Sequence, residues 1–216
     1  MKVAIAGAHG QIALLLGAIL SQRGDATVGM IRNAAQVNDL EAIGVTPLVL
    51  DLEQTNSADV ATAISGCDAL VFAAGAGPGS GLERKDTVDH QAADKCTVAA
   101  QQAGVRRLIQ ISSMGAGDPP KDDSVFSHYL RAKAAAEETL RESQLDWIIL
   151  RPGHLTDEPP RGAINLAAHV PGGQIPRTDV AAVVAGLLVR PGISQRTLEL
   201  VSGDIELNQR LNDLAS

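Results

Sequence analysis

Residues 1–13 read MKVAIAGAHGQIA, and their pattern is the strongest indication of the fold in the whole sequence. A short apolar run comes first, and three small residues follow at three-residue spacing: Gly7, Gly10 and Ala13. An apolar segment long enough for a helix comes next. Strand, glycine turn and helix in this order suit a pyrophosphate, because glycines allow a sharp turn and a close backbone approach. The free N–H groups at the helix start then face the phosphate charge. We predict a dinucleotide-binding loop; a tight turn without a ligand is the alternative.

Strand-like and helix-like segments alternate along the rest of the chain. The predicted strands are residues 2–6, 27–31, 47–50, 69–73, 107–111, 147–150 and 197–201. The predicted helices are residues 11–23, 35–43, 57–64, 88–103, 128–143, 179–188 and 206–214, and glycines that read as helix caps are Gly24, Gly44, Gly66 and Gly104. Short apolar strands separated by helices predict the α/β class, with a Rossmann-type doubly wound parallel sheet. We expect a single NAD(P)-binding domain over residues 1–216.

Three irregular stretches interrupt this alternation, and each follows a predicted strand. They are residues 75–81, 115–127 and 154–177, and all three are rich in Gly, Pro or polar residues. Ligands bind at the carboxyl edge of open α/β sheets, where these stretches lie. We therefore expect residues 154–177 to form a small C-terminal lobe that covers a substrate.

Composition and charge narrow the class of partner. The 216 residues carry a formal net charge of −7, which argues against nucleic acid and anionic membranes, because both require a basic face. No run approaches the roughly 18 apolar residues of a membrane span, and no leader-like segment is seen, so we expect a cytoplasmic protein. Cys67 and Cys96 lack metal-ligand spacing and are predicted to be free, buried thiols, with no metal site. A small-molecule substrate is expected, and a homodimer is compatible with this composition.

The end of the second predicted strand bears on the choice of cofactor. NAD-binding proteins usually place Asp or Glu there, to bind the adenosine ribose. This chain has Arg32 at that position, and a guanidinium suits the 2′-phosphate of NADP. The sequence therefore favours NADP(H) over NAD(H), unless Arg32 is a solvated surface residue.

Other candidate cofactor contacts lie in the first loop and after the third and fourth strands. Asp51 either binds the adenine amino group or caps the next turn, and His9 is either a phosphate ligand or an exposed turn residue. Small residues after the fourth strand would let the cofactor pass close to the backbone. The full set of candidates is Gly7, His9, Gly10, Gln11, Ile12, Arg32, Asp51, Leu52, Ala73, Ala74 and Gly75.

The chemistry-bearing residues lie farther along the chain. The only tyrosine, Tyr129, stands four residues before Lys133, so both side chains share one face of the predicted helix. A nearby ammonium favours the phenolate form and so assists proton transfer. A hydroxyl of Ser112 or Ser113, at the end of the fifth strand, could polarise a substrate carbonyl beside Tyr129. The alternative is a packed tyrosine with a solvated lysine.

Taken together, these motifs resemble the short-chain dehydrogenase/reductase superfamily. The glycine loop, the serine pair, the Tyr-x-x-x-Lys pair and the Arg-Pro-Gly triplet at residues 151–153 occur in this order within the first 155 residues. The pattern is most similar to the atypical branch of small NAD(P)H-binding proteins, which includes NmrA-like and epimerase-like members. The resemblance implies a Rossmann fold and a Ser-Tyr-Lys mechanism.

The resemblance also implies roles for individual residues. Tyr129 would be the general acid/base, Lys133 its partner and ribose anchor, and Ser113, rather than Ser112, the substrate polariser. The further residues that would contact the cofactor are Ser112, Lys133, Pro152, Gly153 and Leu155, with Pro152 and Gly153 beside the nicotinamide. Arg151 is expected to be a structural ion-pair partner.

One departure from the family bears on catalysis. Active members carry an asparagine in the helix after the fourth strand, where this chain has Asp89-His90-Gln91, which puts a proton relay there in doubt. The leading interpretation is an NADP(H)-dependent oxidoreductase that moves hydride between the nicotinamide and a small carbonyl or alcohol. The alternatives are a non-catalytic NADP(H)-binding redox sensor and a sugar epimerase or dehydratase.

Overall fold

A computed structural model describes residues 1–77 and 79–215. Its main sheet has nine strands in the order β11-β8-β10-β6-β5-β4-β1-β2-β3. The strands are β1 (Lys2–Ala6), β2 (Ala26–Ile31), β3 (Thr46–Val49), β4 (Ala69–Phe72), β5 (Arg107–Ile111), β6 (Asp146–Pro152), β7 (His154–Thr156), β8 (Ala163–Ala167), β9 (Gln174–Pro176), β10 (Arg196–Ser202) and β11 (Ile205–Glu206). The seven strands from β3 to β10 across the sheet are parallel, whereas β8 and β11 are antiparallel to their neighbours.

Helices cover both faces of this sheet. They are α1 (Gln11–Gln22), α2 (Val37–Glu41), α3 (Ser57–Ala63), α4 (Leu82–Asp86), α5 (Ala92–Ala103), α6 (Val125–Arg141), α7 (Arg177–Leu188) and α8 (Leu207–Ala215), with a 3₁₀ turn at Ala34–Gln36 and a π-helical turn at Thr87–Gln91. Among the described residues no helix has the length and apolarity of a membrane span. The Rossmann-type fold and all seven predicted strands are confirmed, with strand ends within two residues.

The parallel strands direct alternate side chains into two cores, as a doubly wound sheet requires. In β1, Val3 and Ile5 enter the core beneath α1 and α7, whereas Ala4 and Ala6 enter the core beneath α3, α5 and α6. Burying each large aliphatic side chain stabilises the fold by about 1.5–3 kcal/mol. Cys67 and Cys96 are free and lie in the second core, which confirms the prediction for both thiols. The four predicted glycine caps are also confirmed, since all have φ between 70° and 85°.

Three predicted helices are wrong in their bounds, and one of them is α6, which was predicted at residues 128–143 and begins at Val125. The helix predicted at residues 88–103 begins earlier: α4 starts at Leu82, after the extended Gly81, and continues through the π-helical turn into α5. The helix predicted at residues 35–43 is shorter, because Asn33 accepts a hydrogen bond from the backbone N–H of Ala35 and starts a 3₁₀ turn.

The stretch at residues 154–177 is more regular than its composition indicates. It contains β7 and β9, which pair as a small parallel sheet, and β8, which joins the main sheet beside β10. Ile164 and Leu166 of β8 are fully buried, and the other three residues of the strand are partly exposed, so burial alternates along it. Leu155 of β7 and Arg177, after β9, reach the main cavity. Substrate covering by this stretch stays a prediction.

Candidate functional site

A cavity of about 770 Å³ opens at the carboxyl ends of the parallel strands. Its wall comes from the loop after β1, the ends of β2, β3, β4 and β5, and from α4, α6 and β7. This volume lies within the range of small-molecule and cofactor sites. The position is the one where doubly wound sheets bind their ligands.

The loop after β1 can only be built with glycine at its first position. Gly7 has φ of 78°, and a Cβ there would lie 2.6 Å from the Cα of Ala74. The backbone N–H of Gly10 donates to the Gly7 carbonyl at 3.0 Å, which closes the turn. The nearest atoms to a Cβ at Gly10 would be that carbonyl oxygen at 3.3 Å and the Ala73 oxygen at 3.6 Å. The fold therefore requires glycine at position 7 far more strictly than at position 10.

The start of α1 presents unpaired donors to this cavity. Gly10 caps the helix without a side-chain bond, and the first turn contains no acidic residue. The first bond along the helix runs from the Leu14 N–H to the Gly10 carbonyl, so the N–H groups of Gln11 and Ile12 have no helical acceptor. Both residues line the cavity. Free N–H groups and the positive end of the helix dipole suit a phosphate.

His9 is tied to the neighbouring helical segment. Its Nε2 lies 2.7 Å from an Asp39 carboxylate oxygen, and its Nδ1 lies 3.1 Å from the Gln36 amide nitrogen. The ring still lines the cavity beside Gly10. A phosphate contact from His9 stays a prediction.

The end predicted to hold the adenosine contains two arginines and one carboxylate. Glu53 accepts hydrogen bonds from Arg84 Nη2 and Thr87 Oγ1, both at 2.7 Å, and lies 4.0 Å from Arg32 Nη1. The Arg84 guanidinium holds the pKa of Glu53 below its ordinary value. Arg32 is half exposed and makes no shorter ion pair among the described residues. Sequence reasoning identified Arg32 and missed Glu53 and Arg84.

Asp51 and Leu52 follow β3 and line the same cavity. Asp51 Oδ1 accepts the backbone N–H of Glu53 at 2.9 Å, so its side chain does cap the next turn. Both Asp51 and Leu52 also line the cavity, and adenine recognition by Asp51 stays a prediction. Ala73, Ala74 and Gly75 form the floor beside Gly7, as the sequence indicates.

The helix that carries Tyr129 and Lys133 begins with a polar cap. Ser124 accepts the Ser127 backbone N–H at 3.1 Å, and Asp122 accepts the Ser127 hydroxyl at 2.8 Å. Bonds from Ser124 and Ser127 lower the pKa of Asp122 to about 2. The cap starts α6 three residues before its predicted beginning, and it fixes the turn that leads to Tyr129.

Lys133 is buried and is engaged by the protein itself. Its Nζ lies 3.1 Å from Asp89 Oδ1 and 3.4 Å from the carbonyl oxygens of both Ala74 and Ile111. Asp89 is fully buried and also accepts the Ala76 N–H at 3.2 Å. The interpretation of Lys133 as a solvated surface charge is therefore wrong. The acid found where family members carry asparagine is its counter-ion.

Tyr129 lies beside two ammonium groups and one aromatic ring. The ring centroid is 5.3 Å from Lys85 Nζ, 5.9 Å from Lys133 Nζ and 6.0 Å from the centroid of Phe126. Tyr129, Lys85, Lys133 and Phe126 all line the cavity. Within residues 1–77 and 79–215, the structure records no hydrogen bond to the Tyr129 hydroxyl. Sequence reasoning missed Lys85, because residues 82–87 were assigned to no predicted element.

The two serines differ in position: Ser112 lies in the cavity wall, and Ser113 lies outside the described lining. Ser112 lines the cavity, and its hydroxyl donates to the buried Glu137 carboxylate at 2.6 Å. Ser113 donates to the Met114 carbonyl at 3.3 Å and is not among the described lining residues. The geometry thus brings Ser112, rather than Ser113, to the wall, and the role of either serine stays a prediction.

The end of β6 and the residue that follows it support the site from behind. Arg151 donates to Glu137 at 2.9 Å through Nε, which confirms the predicted ion pair. The Pro152 carbonyl accepts the Met114 N–H at 2.9 Å, and the Gly153 N–H donates to Leu200. Of the three predicted contacts here, Leu155 lines the cavity, whereas Pro152 and Gly153 lie outside its described lining. In the described part of the chain, no group of three or more acidic, His or Cys side chains could hold a metal ion.

Comparison with known proteins agrees with this geometry. A family described as NAD(P)H-binding matches residues 7–191. A Bacillus subtilis relative named as the uncharacterized sugar epimerase YhfK is 34% identical over 215 residues, which cover 99% of this chain and 100% of the relative.

Two solved structures share the whole architecture. A protein from Bacillus halodurans, assigned as an NAD-dependent epimerase/dehydratase, has a TM-score of 0.93 at 34% identity, covering 99% of this chain and 100% of its own. The oxidoreductase ylbE from Lactococcus lactis has a TM-score of 0.86 at 26% identity, covering 99% of this chain and 96% of its own. Both agree with the resemblance to atypical short-chain dehydrogenases/reductases. The chain therefore belongs to the NAD(P)H-binding family, among its epimerase-like and oxidoreductase-like members.

Proposed function

We propose that the protein is an NADP(H)-dependent oxidoreductase that interconverts a small carbonyl compound and its alcohol. The observation that carries this proposal is the placement of Tyr129 and Lys133 in the same cavity as the free N–H groups of α1. One end of the cavity suits a pyrophosphate, and the other holds a phenol beside two ammonium groups.

The residues present fit the cofactor. The N–H groups of Gln11 and Ile12 would hold its phosphates, and the lack of a side chain at Gly10 would let the phosphates approach the backbone. Bound NADPH would supply the hydride. Reduction also needs a proton at the carbonyl oxygen, and Tyr129 would donate it from the free phenolic hydroxyl. The nearby ammonium groups would stabilise the phenolate that remains.

A preference for NADP(H) over NAD(H) forms part of the proposal. Arg32 is half exposed at the end of β2 and has only a 4.0 Å pairing with Glu53, so its guanidinium is available to a 2′-phosphate. A charge-assisted hydrogen bond of this kind contributes about 1.5–3 kcal/mol, which corresponds to roughly 10- to 100-fold in affinity. Isothermal titration of NADPH and NADH to wild type and Arg32→Ala tests this preference. Equal affinity of wild type for the two cofactors would refute it.

Replacement of Tyr129 by Phe tests the catalytic role. We expect wild type to reduce at least one compound in a panel of aldehydes, ketones and quinones with NADPH, and the variant to lose 100-fold or more in kcat. His128→Ala is a matched control on the same helix, because His128 is not among the described lining residues of the cavity and the phenol stays in place. Turnover by Tyr129→Phe at the wild-type rate would contradict the mechanism. Tight NADPH binding without turnover of any compound would support the redox sensor instead.

The glycine loop allows a test of cofactor binding that is independent of turnover. Gly10→Ala adds a methyl group 3.3 Å from the Gly7 carbonyl oxygen, a tight contact that a small shift relieves, so we expect a much smaller loss of thermal stability than for Gly7→Ala. The same methyl group would occupy the space through which phosphates approach the backbone, so NADPH affinity should fall at least tenfold. Gly7→Ala is the contrast, because it clashes with Ala74 and should destabilise the fold itself. Unchanged NADPH affinity in Gly10→Ala would place the cofactor elsewhere.

A sugar epimerase is the second candidate, favoured by the names of the Bacillus relatives. A nucleotide sugar would have to be covered by residues 154–177, of which β8 is part of the main sheet. Incubation with UDP- and dTDP-hexoses in the presence of NAD⁺, followed by chromatography of the products, separates the two candidates. Epimerised or dehydrated product would favour the epimerase.

A further inference from the structure

Lys85 is a buried cation that faces the cavity without a counter-ion. The residue is 8% exposed, and its ammonium donates to the Gly77 carbonyl at 2.9 Å and lies 5.3 Å from the Tyr129 ring centroid. Among the ion pairs of residues 1–77 and 79–215, none within 4.0 Å involves Lys85. Among the described residues, its recorded partners are one neutral carbonyl and one aromatic face, and neither carries a compensating charge.

Of the other Lys and Arg side chains that line the cavity, Arg32 is half exposed and is assigned to the cofactor, and the remaining three differ from Lys85 because each has a close carboxylate partner. Lys133 pairs with Asp89 at 3.1 Å, Arg84 pairs with Glu53 at 2.7 Å, and Arg177 pairs with Asp157 at 2.8 Å. A buried charge is costly unless it is paired. A ligand anion would therefore gain more by binding beside Lys85 than beside any of these paired groups.

The surroundings of Lys85 indicate what the anion is attached to. Val125 and Phe126 line the cavity beside Tyr129 and are 50% and 61% exposed. Such exposure of two large apolar side chains at a cavity mouth is typical of a ligand-binding surface. The ligand would bring an apolar or aromatic body against these residues and a negative charge against the ammonium.

We propose that Lys85 is a specificity-determining residue that binds the carboxylate of the substrate, so that the substrate is an apolar oxo acid. The proposal rests on the proposed function, because the carbonyl of that acid is the group that Tyr129 would protonate. The carboxylate would pair with Lys85 while the apolar body lies on Phe126. The phosphates of the cofactor are assigned to the start of α1, so Lys85 would serve the substrate alone.

Binding of an acid and its ester to the protein loaded with NADP⁺ tests the proposal. The probes are phenylglyoxylate and its uncharged methyl ester, measured by isothermal titration; the oxidised cofactor prevents reduction during the measurement. We expect wild type to bind the acid at least tenfold more tightly than the ester. Lys85→Met should abolish this difference, and Lys85→Arg should retain most of it. Lys121→Met is the matched control, because it removes an exposed lysine.

Three results would overturn the proposal. They are equal binding of acid and ester by wild type, unchanged acid selectivity in Lys85→Met, and a tenfold loss of NADP⁺ affinity in Lys85→Met that assigns the residue to the cofactor. Should Lys85→Met fail to fold, Lys85→Gln is used for the same comparison. The outcome is independent of catalysis: selective acid binding combined with unimpaired turnover by Tyr129→Phe would refute the mechanism and retain the role of Lys85.

Discussion

Glu137 is the centre of a buried charge cluster behind the cavity wall, and its replacement gives a quantitative test of the structure. The carboxylate is fully buried and accepts hydrogen bonds from Ser112 at 2.6 Å and from Arg151 Nε at 2.9 Å. Its second oxygen accepts from Arg151 and from Arg141, both at 2.5 Å. Arg151 is itself buried, so Glu137 is the group that compensates its charge.

Glu137→Gln preserves the shape of the side chain and removes its charge. The amide nitrogen would then face a guanidinium, and Arg151 would remain buried without a counter-ion. Removing one partner of a buried pair costs about 3–5 kcal/mol. For a chain of this size, 1 kcal/mol shifts Tm by about 2–4 °C, so we expect Tm to fall by roughly 6–20 °C.

Glu138→Gln is the matched control on the same helix. Glu138 pairs with Arg141 at 3.2 Å, but its side chain is 66% exposed. Exposed pairs contribute at most about 1 kcal/mol, so Tm should fall by no more than about 4 °C. Thermal unfolding followed by circular dichroism measures both variants. Equal Tm values for the two variants would refute the assignment of Glu137 as the essential counter-ion.

Other predictions concern the Glu53 carboxylate, the two buried thiols and the N-terminal cap of α6. Because the Arg84 hydrogen bond lowers the pKa of Glu53 from an ordinary 4.5, the stability that this carboxylate contributes is present above pH 4.5 and is lost as the pH falls through the lowered pKa. Urea unfolding should therefore show wild type more stable than Glu53→Gln at pH 7, with the difference shrinking toward pH 3; a constant difference would contradict this. Burial raises the pKa of Cys96 to about 12 and also raises the pKa of Cys67, so neither thiol should react rapidly with Ellman's reagent in the native protein, whereas both should react in urea. Ser124→Ala removes the cap of α6 and should cost about 1 kcal/mol, which unfolding in urea would detect; an unchanged midpoint would argue against the cap.

The fold could be predicted from the sequence because its signals are local. The central parallel strands β1, β4, β5 and β6 are almost entirely buried, so each reads as a short, mostly apolar run between helices, and glycines mark the helix ends. The strand β8 lacks such a signal. Its five residues lie in a stretch rich in Pro and Gly, and their alternating burial arises only from pairing with β10, more than 30 residues farther along the chain.

In the candidate site too, residues that are close together in the sequence could be predicted, and residues that meet only in the fold could not. The glycine loop and the pair of Tyr129 and Lys133 are recognisable because each consists of residues close together in the chain, at a spacing that a turn or a helix fixes. The counter-ions of the cations in the site cannot be recognised in the sequence, because they come from other elements. Glu53, for example, pairs with Arg84, which is 31 positions away. Apolar periodicity carries no information about which carboxylate meets which cation.

The two lysines beside Tyr129 differ in whether a carboxylate neutralises them. Asp89 neutralises Lys133, so the charge that Lys133 can offer to Tyr129 or to a ribose hydroxyl is already shared with a fully buried carboxylate. Lys85 approaches the same ring at 5.3 Å and has no carboxylate partner among the described residues. The Tyr-x-x-x-Lys motif alone would assign the nearby positive charge to Lys133. The distribution of counter-ions assigns the uncompensated charge to Lys85, on a helix outside the motif, and this is why substrate selectivity should respond to Lys85.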